Sequence, residues 1–130
     1  MSKRFYLSTR KDRLDQAAPL LDELKANGWK QTFAWSDQGA QTPGEYGDIA
    51  QAELEGVREA DVLIVLLPGG FGTHVEIGAA LGLGKRIILH APNRKTLETP
   101  YPCVFHYHPL VTLLVSEHVE VNAILGSLPK

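Results

Sequence analysis

Val62-Leu63-Ile64-Val65-Leu66-Leu67-Pro68-Gly69-Gly70-Phe71-Gly72-Thr73-His74-Val75-Glu76-Ile77-Gly78 carries an unbroken apolar run straight into a glycine-rich turn and a second apolar stretch. Val62 to Leu67 is nonpolar at every position. That is the pattern of a central parallel strand covered on both faces, where the alternation of a half-buried strand is lost. The glycines after it permit a tight turn and close backbone approach to a ligand. They open a helix whose free amides favour an anion or a hydroxyl. Between Asp61 and Lys85 only His74 and Glu76 ionise, and Val75 to Leu83 is apolar almost all round. A helix of that kind is buried.

Two readings of Glu76 follow. In the first it lies near the strand ends, partly desolvated, in the first helical turn, where the helix dipole favours its ionised form. A carboxylate so placed is able to attack an electrophilic carbon such as the anomeric carbon of a sugar. In the second, Thr73-x-x-Glu76 is a capping box in which the two residues satisfy each other's backbone amides and no chemistry follows. Spacing alone leaves both open.

Outward from this segment, strands and helices alternate. Phe5-Tyr6-Leu7 predicts a first strand, followed by the polar turn Ser8 to Lys11. Leu14, Ala17, Leu21 and Leu24 recur at helical spacing, with Asn27-Gly28 as a stop. Pro19 either kinks that helix or marks its first turn. Trp29 to Trp35, with Phe33 and Trp35 in alternation, suggests a second strand, and Ser36 to Gly47 a loop. Ile49 to Ala60 predicts a helix, Arg86 to Leu89 a strand, the stretch with Pro92, Pro100 and Pro102 a loop, Leu110 to Val115 a strand and Glu117 to Leu125 a closing helix. Parallel neighbours need crossover helices. The expected fold is therefore a doubly wound, flavodoxin-like α/β parallel sheet of about five strands with helices on both faces. Ligands in such sheets sit beyond the carboxyl ends of the strands, where Tyr6 to Arg10, the 36–47 loop and Pro68 to Glu76 are expected to meet.

The 130 residues predict a single domain over 1–130. A composition of 44% hydrophobic and 22% charged residues argues against disorder. A net charge of -2, with no lysine or arginine stripe, argues against nucleic acid as a partner. No apolar stretch approaches the roughly 20 residues that span a bilayer, so no membrane partner is expected. The lone Cys103 and an amino terminus without a long apolar leader predict a cytoplasmic protein.

Phe5-Tyr6-Leu7-Ser8-Thr9-Arg10, Glu59-Ala60-Asp61 and above all Gly72-Thr73-His74-Val75-Glu76-Ile77-Gly78, with Gly84-Lys85 following, resemble the nucleoside 2-deoxyribosyltransferase family and its relatives that hydrolyse nucleoside 5'-monophosphates. The similarity covers most of residues 4–90. It implies cleavage of the bond between sugar and base in a nucleoside or nucleotide. Glu76 would be the nucleophile, oriented by Tyr6, and the glycosyl group would pass to water or another base, in the two-step logic of retaining glycosidases. Gly70 stands where transferases of the family carry an aspartate that handles the base, and Glu53 replaces a second aspartate. The first departure favours hydrolysis or a relaxed transferase. Glu53 keeps the charge on the Ile49/Val57 face, either reaching the site or lying at its rim. The resemblance also implies a homodimer or larger homo-oligomer. Pro68-Gly69-Gly70-Phe71-Gly72-Thr73-His74-Val75-Glu76 resembles, in addition, the phosphoribohydrolases that release cytokinin bases. A non-catalytic nucleotide-binding module is the alternative of a different class.

The candidate catalytic residues are thus Glu76 and Tyr6, and the candidate substrate-binding residues are Arg10, Glu53, Gly69, Gly70, Gly72, Thr73 and His74. Arg10 is suited to pairing with a 5'-phosphate in bidentate fashion, or is a solvated surface arginine. His74 either assists a leaving base or is a polar neighbour. No cofactor is called for. His106-Tyr107-His108 has no third partner at a recognised spacing, so no metal is expected. Cys103 is expected to serve packing.

Overall fold

The computed structural model describes residues 2–34 and 39–129. Five strands, β1 (Arg4–Thr9), β2 (Lys30–Gln31), β3 (Val62–Leu66), β4 (Arg86–Ala91) and β5 (Val111–Val115), form one sheet in the order β2-β1-β3-β4-β5. Every neighbouring pair is parallel. The helices are α1 (Leu14–Ala26), α2 (Pro43–Glu59), α3 (Phe71–Gly82), α4 (Arg94–Glu98) and α5 (Val121–Ser127). This is the expected doubly wound, flavodoxin-like α/β architecture.

The fully apolar run explains the centre. All five residues of β3 are buried, because alternate side chains feed opposite layers. Leu63 and Val65 join Ile87 and Leu89 of β4 beneath Val57 of α2 and Ile77 and Ala80 of α3. Val62 and Ile64 join Phe5 and Leu7 of β1 against Ala17, Leu20 and Leu24 of α1 and Ile124 of α5. Each such Leu, Ile or Val contributes about 1.5–3 kcal/mol by leaving water.

Two helices end where a left-handed residue is required, at Gly28 (φ 85°) and Gly84 (φ 72°). Beyond them the Trp29 amide donates to Leu24 O and the Lys85 amide to Ala80 O, at 2.9 Å in both cases, which closes the last turn. Lys85 then reaches back, its Nζ donating to the carbonyls of Arg58 and Ala60 at the end of α2.

The boundaries differ from expectation in instructive places. β1 and β4 extend two residues further than their apolar cores, because both continue pairing with β3 through Thr9 and His90. β2 keeps only two residues; Phe33 instead leaves the sheet and stacks on Tyr6, ring centroids 6.3 Å apart. Trp35 and residues 36–38 of the expected loop lie outside the described residues. α2 begins at Pro43, six residues before the expected Ile49, because Thr42 caps it: its side chain accepts from the Glu45 amide, while its hydroxyl donates to the Glu45 carboxylate. The proline-bearing loop contains α4 and a 3₁₀ turn over Val104–Tyr107, and α5 starts at Val121 rather than Glu117. Pro19 sits inside α1, after a 3₁₀ turn at Lys11–Arg13 has already brought the chain round. No helix among the described residues is long and apolar enough to cross a membrane.

Candidate active site around Glu76

The strand order reverses between β1 and β3, and α3 starts from the carboxyl end of β3 at that reversal. Alternation along β1 turns Tyr6 and Ser8 to the same face of the sheet, the one α3 covers. Both side chains meet Glu76. Tyr6 Oη donates to Glu76 Oε2 at 2.6 Å and Ser8 Oγ to Glu76 Oε1 at 2.5 Å. Each carboxylate oxygen thus receives one hydroxyl proton, and the group is only 7% exposed.

Neither the capping box nor the first-turn placement of Glu76 holds. Gly70, in an extended conformation, is the residue from which α3 starts, and no side chain caps the helix. Glu76 therefore stands in the second turn, and its carboxylate faces the strand rather than its own backbone. The extended glycine starts the helix early enough to move Thr73 inside it. A Cβ built on Gly69 would lie 2.6 Å from the Thr73 side chain, so the turn packs on Thr73 only because position 69 is bare.

α2 supplies the third contact. A Cβ at Gly56 would lie 2.9 Å from Phe33 Cβ and 3.1 Å from the Tyr6 ring. The helix can approach β1 this closely because residue 56 has no side chain. Glu53, one turn earlier on the same face, is thereby brought to the cleft that Glu76 lines, close enough for the two carboxyls to shift one another. Burial, followed by the charge of Glu76 and the hydrogen bond to it, pushes the Glu53 carboxyl up to about 7. Burial also raises Glu76, while the hydrogen bonds from Ser8, Tyr6 and Glu53 oppose that rise. Two adjacent carboxyls cannot both ionise cheaply, and they titrate as a pair. The pair's proton belongs on Glu53, because Glu76 already takes a hydroxyl donor on each oxygen and is the better-stabilised anion. Tyr6, raised by burial and then by the charge of Glu76, remains a donor throughout.

Thr9, Arg10, Glu53, Gly70, Gly72, Thr73 and Glu76 line a cleft of about 170 Å³, room for roughly five waters at their liquid volume. Six of the nine candidate residues, Arg10, Glu53, Gly70, Gly72, Thr73 and Glu76, converge there, with Tyr6 bonded to Glu76. The amides that open α3 have no partner within the helix and face a developing or bound anion well. Arg10 is held at the rim by Asp12, through two contacts of 3.1 Å. Gly69 and His74 instead line a larger neighbouring cavity of about 790 Å³, which shares Gly70 with the cleft. His74 is therefore not beside Glu76. Its ring turns to His106, with Nε2 to Nε2 at 3.0 Å. Burial, and then the nearby His74, lower the His106 pKa and keep that ring neutral.

Ser8 was absent from the sequence-derived site although a signal existed: a polar residue two positions after Tyr6, on a strand, shares its face. Gly56 gave no comparable signal, since a close approach between helix and strand is a tertiary property.

Comparison with known proteins gives a consistent picture. The family described as nucleoside 2-deoxyribosyltransferase matches residues 4–122. No curated protein matches the chain. Among solved structures it is similar to the CMP N-glycosidase BcmB of Clostridium botulinum, with 21% identity, 95% of this chain and 96% of that one covered, and a TM-score of 0.63. The 2-deoxyribosyltransferase of Bacillus psychrosaccharolyticus aligns at 21% identity over 68% of this chain and 72% of that one, with a TM-score of 0.58. The solution structure of BlsM aligns at 19% identity over 94% and 84%, with a TM-score of 0.64. At these identities the likenesses establish the shared fold.

Proposed function

The chain belongs to the nucleoside 2-deoxyribosyltransferase family, an enzyme family, and on that premise we propose that it cleaves the N-glycosidic bond of a nucleoside or nucleoside 5'-monophosphate with Glu76 as nucleophile. The observation that carries this reading is a buried carboxylate at a cleft, held by a hydroxyl donor on each oxygen. That leaves it ionised, oriented and poorly solvated, the state in which a carboxylate is a competent nucleophile.

A Glu76 oxygen attacks the anomeric carbon. The bond to the base breaks, its electron pair leaves on the base nitrogen, and Glu53, holder of the pair's proton, is placed to supply that proton. A glycosyl ester remains on Glu76. Water then attacks the same carbon, the ester bond returns its electron pair to the carboxylate, and the water's proton restores Glu53. Glu53 and Glu76 stand close enough to shift one another, Glu53 up to about 7, and the family resemblance supports attack by the enzyme itself in the two-step manner of retaining glycosidases. With Gly70 where a base-handling aspartate is expected, water is the favoured acceptor over a second base. Arg10 and the amides opening α3 are suited to a 5'-phosphate. The helix-cap role that favoured a non-catalytic module loses its ground, since Glu76 bonds across to β1.

The test is a panel of purine and pyrimidine nucleosides, their 2'-deoxy forms and their 5'-monophosphates, followed by chromatography for free base. At least one member is expected to release base, and a second added base should not accelerate that release. Ligand binding without base release from any member would instead leave a binding module.

A further inference from the structure

We propose that His74, Cys103 and His106 form a binding site for a zinc-class divalent ion. One ligand atom from each lies within 4.8 Å of those of the other two. The residues come from the start of α3 and from the segment before β5, so the third partner missing from the sequence spacing arrives through space.

His74 is oriented for such a role. Its Nδ1 lies 3.0 Å from the Gly70 carbonyl, which can only accept, so Nδ1 carries the proton and Nε2 is the lone-pair atom. A backbone carbonyl on the far nitrogen is the usual support of a metal-binding imidazole. That Nε2 faces His106 Nε2 at 3.0 Å. Two nitrogens on a tetrahedral zinc, each about 2.0–2.1 Å from the ion, stand about 3.3 Å apart. The pair is therefore spaced close to what an ion needs, and a slight opening admits one.

His106 brings its ring to the site from a buried position, 4% exposed. With the His74 lone pair opposite, His106 Nε2 holds the proton that joins the two rings in the ion-free chain, and its Nδ1 has no hydrogen-bond partner among the described residues; an ion that replaces the shared proton leaves the ring's N–H on Nδ1. Cys103 lies three residues before His106, partly buried, on the wall of the same cavity. Two imidazoles and a thiolate suit borderline-soft zinc, whereas calcium and magnesium require oxygen donors. Three protein ligands leave a fourth position facing the cavity of about 790 Å³ that all three residues line, where a water or a nitrogen or oxygen donor of a bound molecule completes the tetrahedron. None of the three lines the Glu76 cleft, so the ion site stands apart from the proposed nucleophile and its test does not depend on base release.

Adding Co²⁺, a spectroscopic stand-in for Zn²⁺, to the metal-stripped full chain tests the site. Cys103 is the one cysteine, so a thiolate-to-cobalt charge-transfer absorption within the chain has a single source. One equivalent of Co²⁺ is expected to produce that absorption together with tetrahedral ligand-field bands, and Zn²⁺ to displace both. Cys103→Ser should remove the charge-transfer band. His74→Ala, at an exposed position that tolerates truncation, should weaken Zn²⁺ affinity by at least about a hundredfold, the upper end of what loss of an outer-shell partner alone costs. Absence of the band in the wild-type chain, or unchanged Zn²⁺ affinity in both variants, would overturn the assignment.

Discussion

Glu76→Gln is expected to lower the rate of base release by roughly four orders of magnitude, the scale on which loss of a covalent nucleophile is felt. The amide cannot form the glycosyl ester, but it fills the same space. Its oxygen accepts from one of the hydroxyls of Tyr6 and Ser8, and its NH₂ donates to the other, so the loss should come without unfolding, at about 1 kcal/mol or less by chemical denaturation. The substitution also tests the neighbouring group. The charge of Glu76 and the hydrogen bond to it are the second and third causes that raise Glu53, so the Glu53 carboxyl should fall towards its ordinary range in the variant. A Glu76→Gln chain that released base at the wild-type rate would remove this carboxylate from the chemistry.

The second large effect is on pH dependence. In the proposed active form Glu76 is ionised and Glu53 protonated. Activity should rise as Glu76 loses its proton, above the usual carboxylate range because burial raises it, and fall as Glu53 ionises near pH 7. Glu53→Gln keeps a donor towards Glu76 but neither titrates nor supplies the leaving base with a proton, so kcat/KM should fall, by roughly the 10²–10⁴-fold of a lost general acid, and the residual activity should keep the acid limb and lose the alkaline one. An unchanged alkaline limb would assign it to another group. Stability carries the same sign. The folded pKa of Glu53 exceeds its unfolded value near 4.5, so its contribution is fully present below that value and is lost as pH rises through about 7. The melting temperature should fall across that window, and by less in Glu53→Gln.

The fold was legible where burial leaves a periodic trace. Val62 to Leu67 announced a central strand, and the Asn27-Gly28 stop lies where a left-handed Gly28 ends α1. Thr-x-x-Glu occurs at 42–45 and at 73–76, and only in the first does the threonine cap a helix, accepting from the glutamate's amide. Thr42-Pro43-Gly44-Glu45 was hidden in a composition that reads as loop. Thr73 to Glu76 misled because the pattern does not say which residue starts the helix, and Gly70 starts it earlier. The candidate site was legible at Glu76, whose isolation in an apolar helix marked it, and at Tyr6 and Glu53 through family resemblance. Ser8 was lost to a turn reading because β1 outlasts its apolar core. His74 was read from sequence proximity to Glu76, yet residues two apart on a helix point in different directions. Its true neighbours, Cys103 and His106, are some thirty residues away in sequence, and only tertiary packing joins them.

The most direct test of the central claim is mass spectrometry of the chain after rapid quenching with a 2'-fluoro analogue of a nucleoside found to release base. The fluorine disfavours the oxocarbenium-like transition state and so prolongs any glycosyl ester. The proposal predicts a chain heavier by one fluoroglycosyl group, carried on the peptide containing Glu76. Release of base from the analogue with the chain left unmodified, or with the sugar on a different residue, would contradict it.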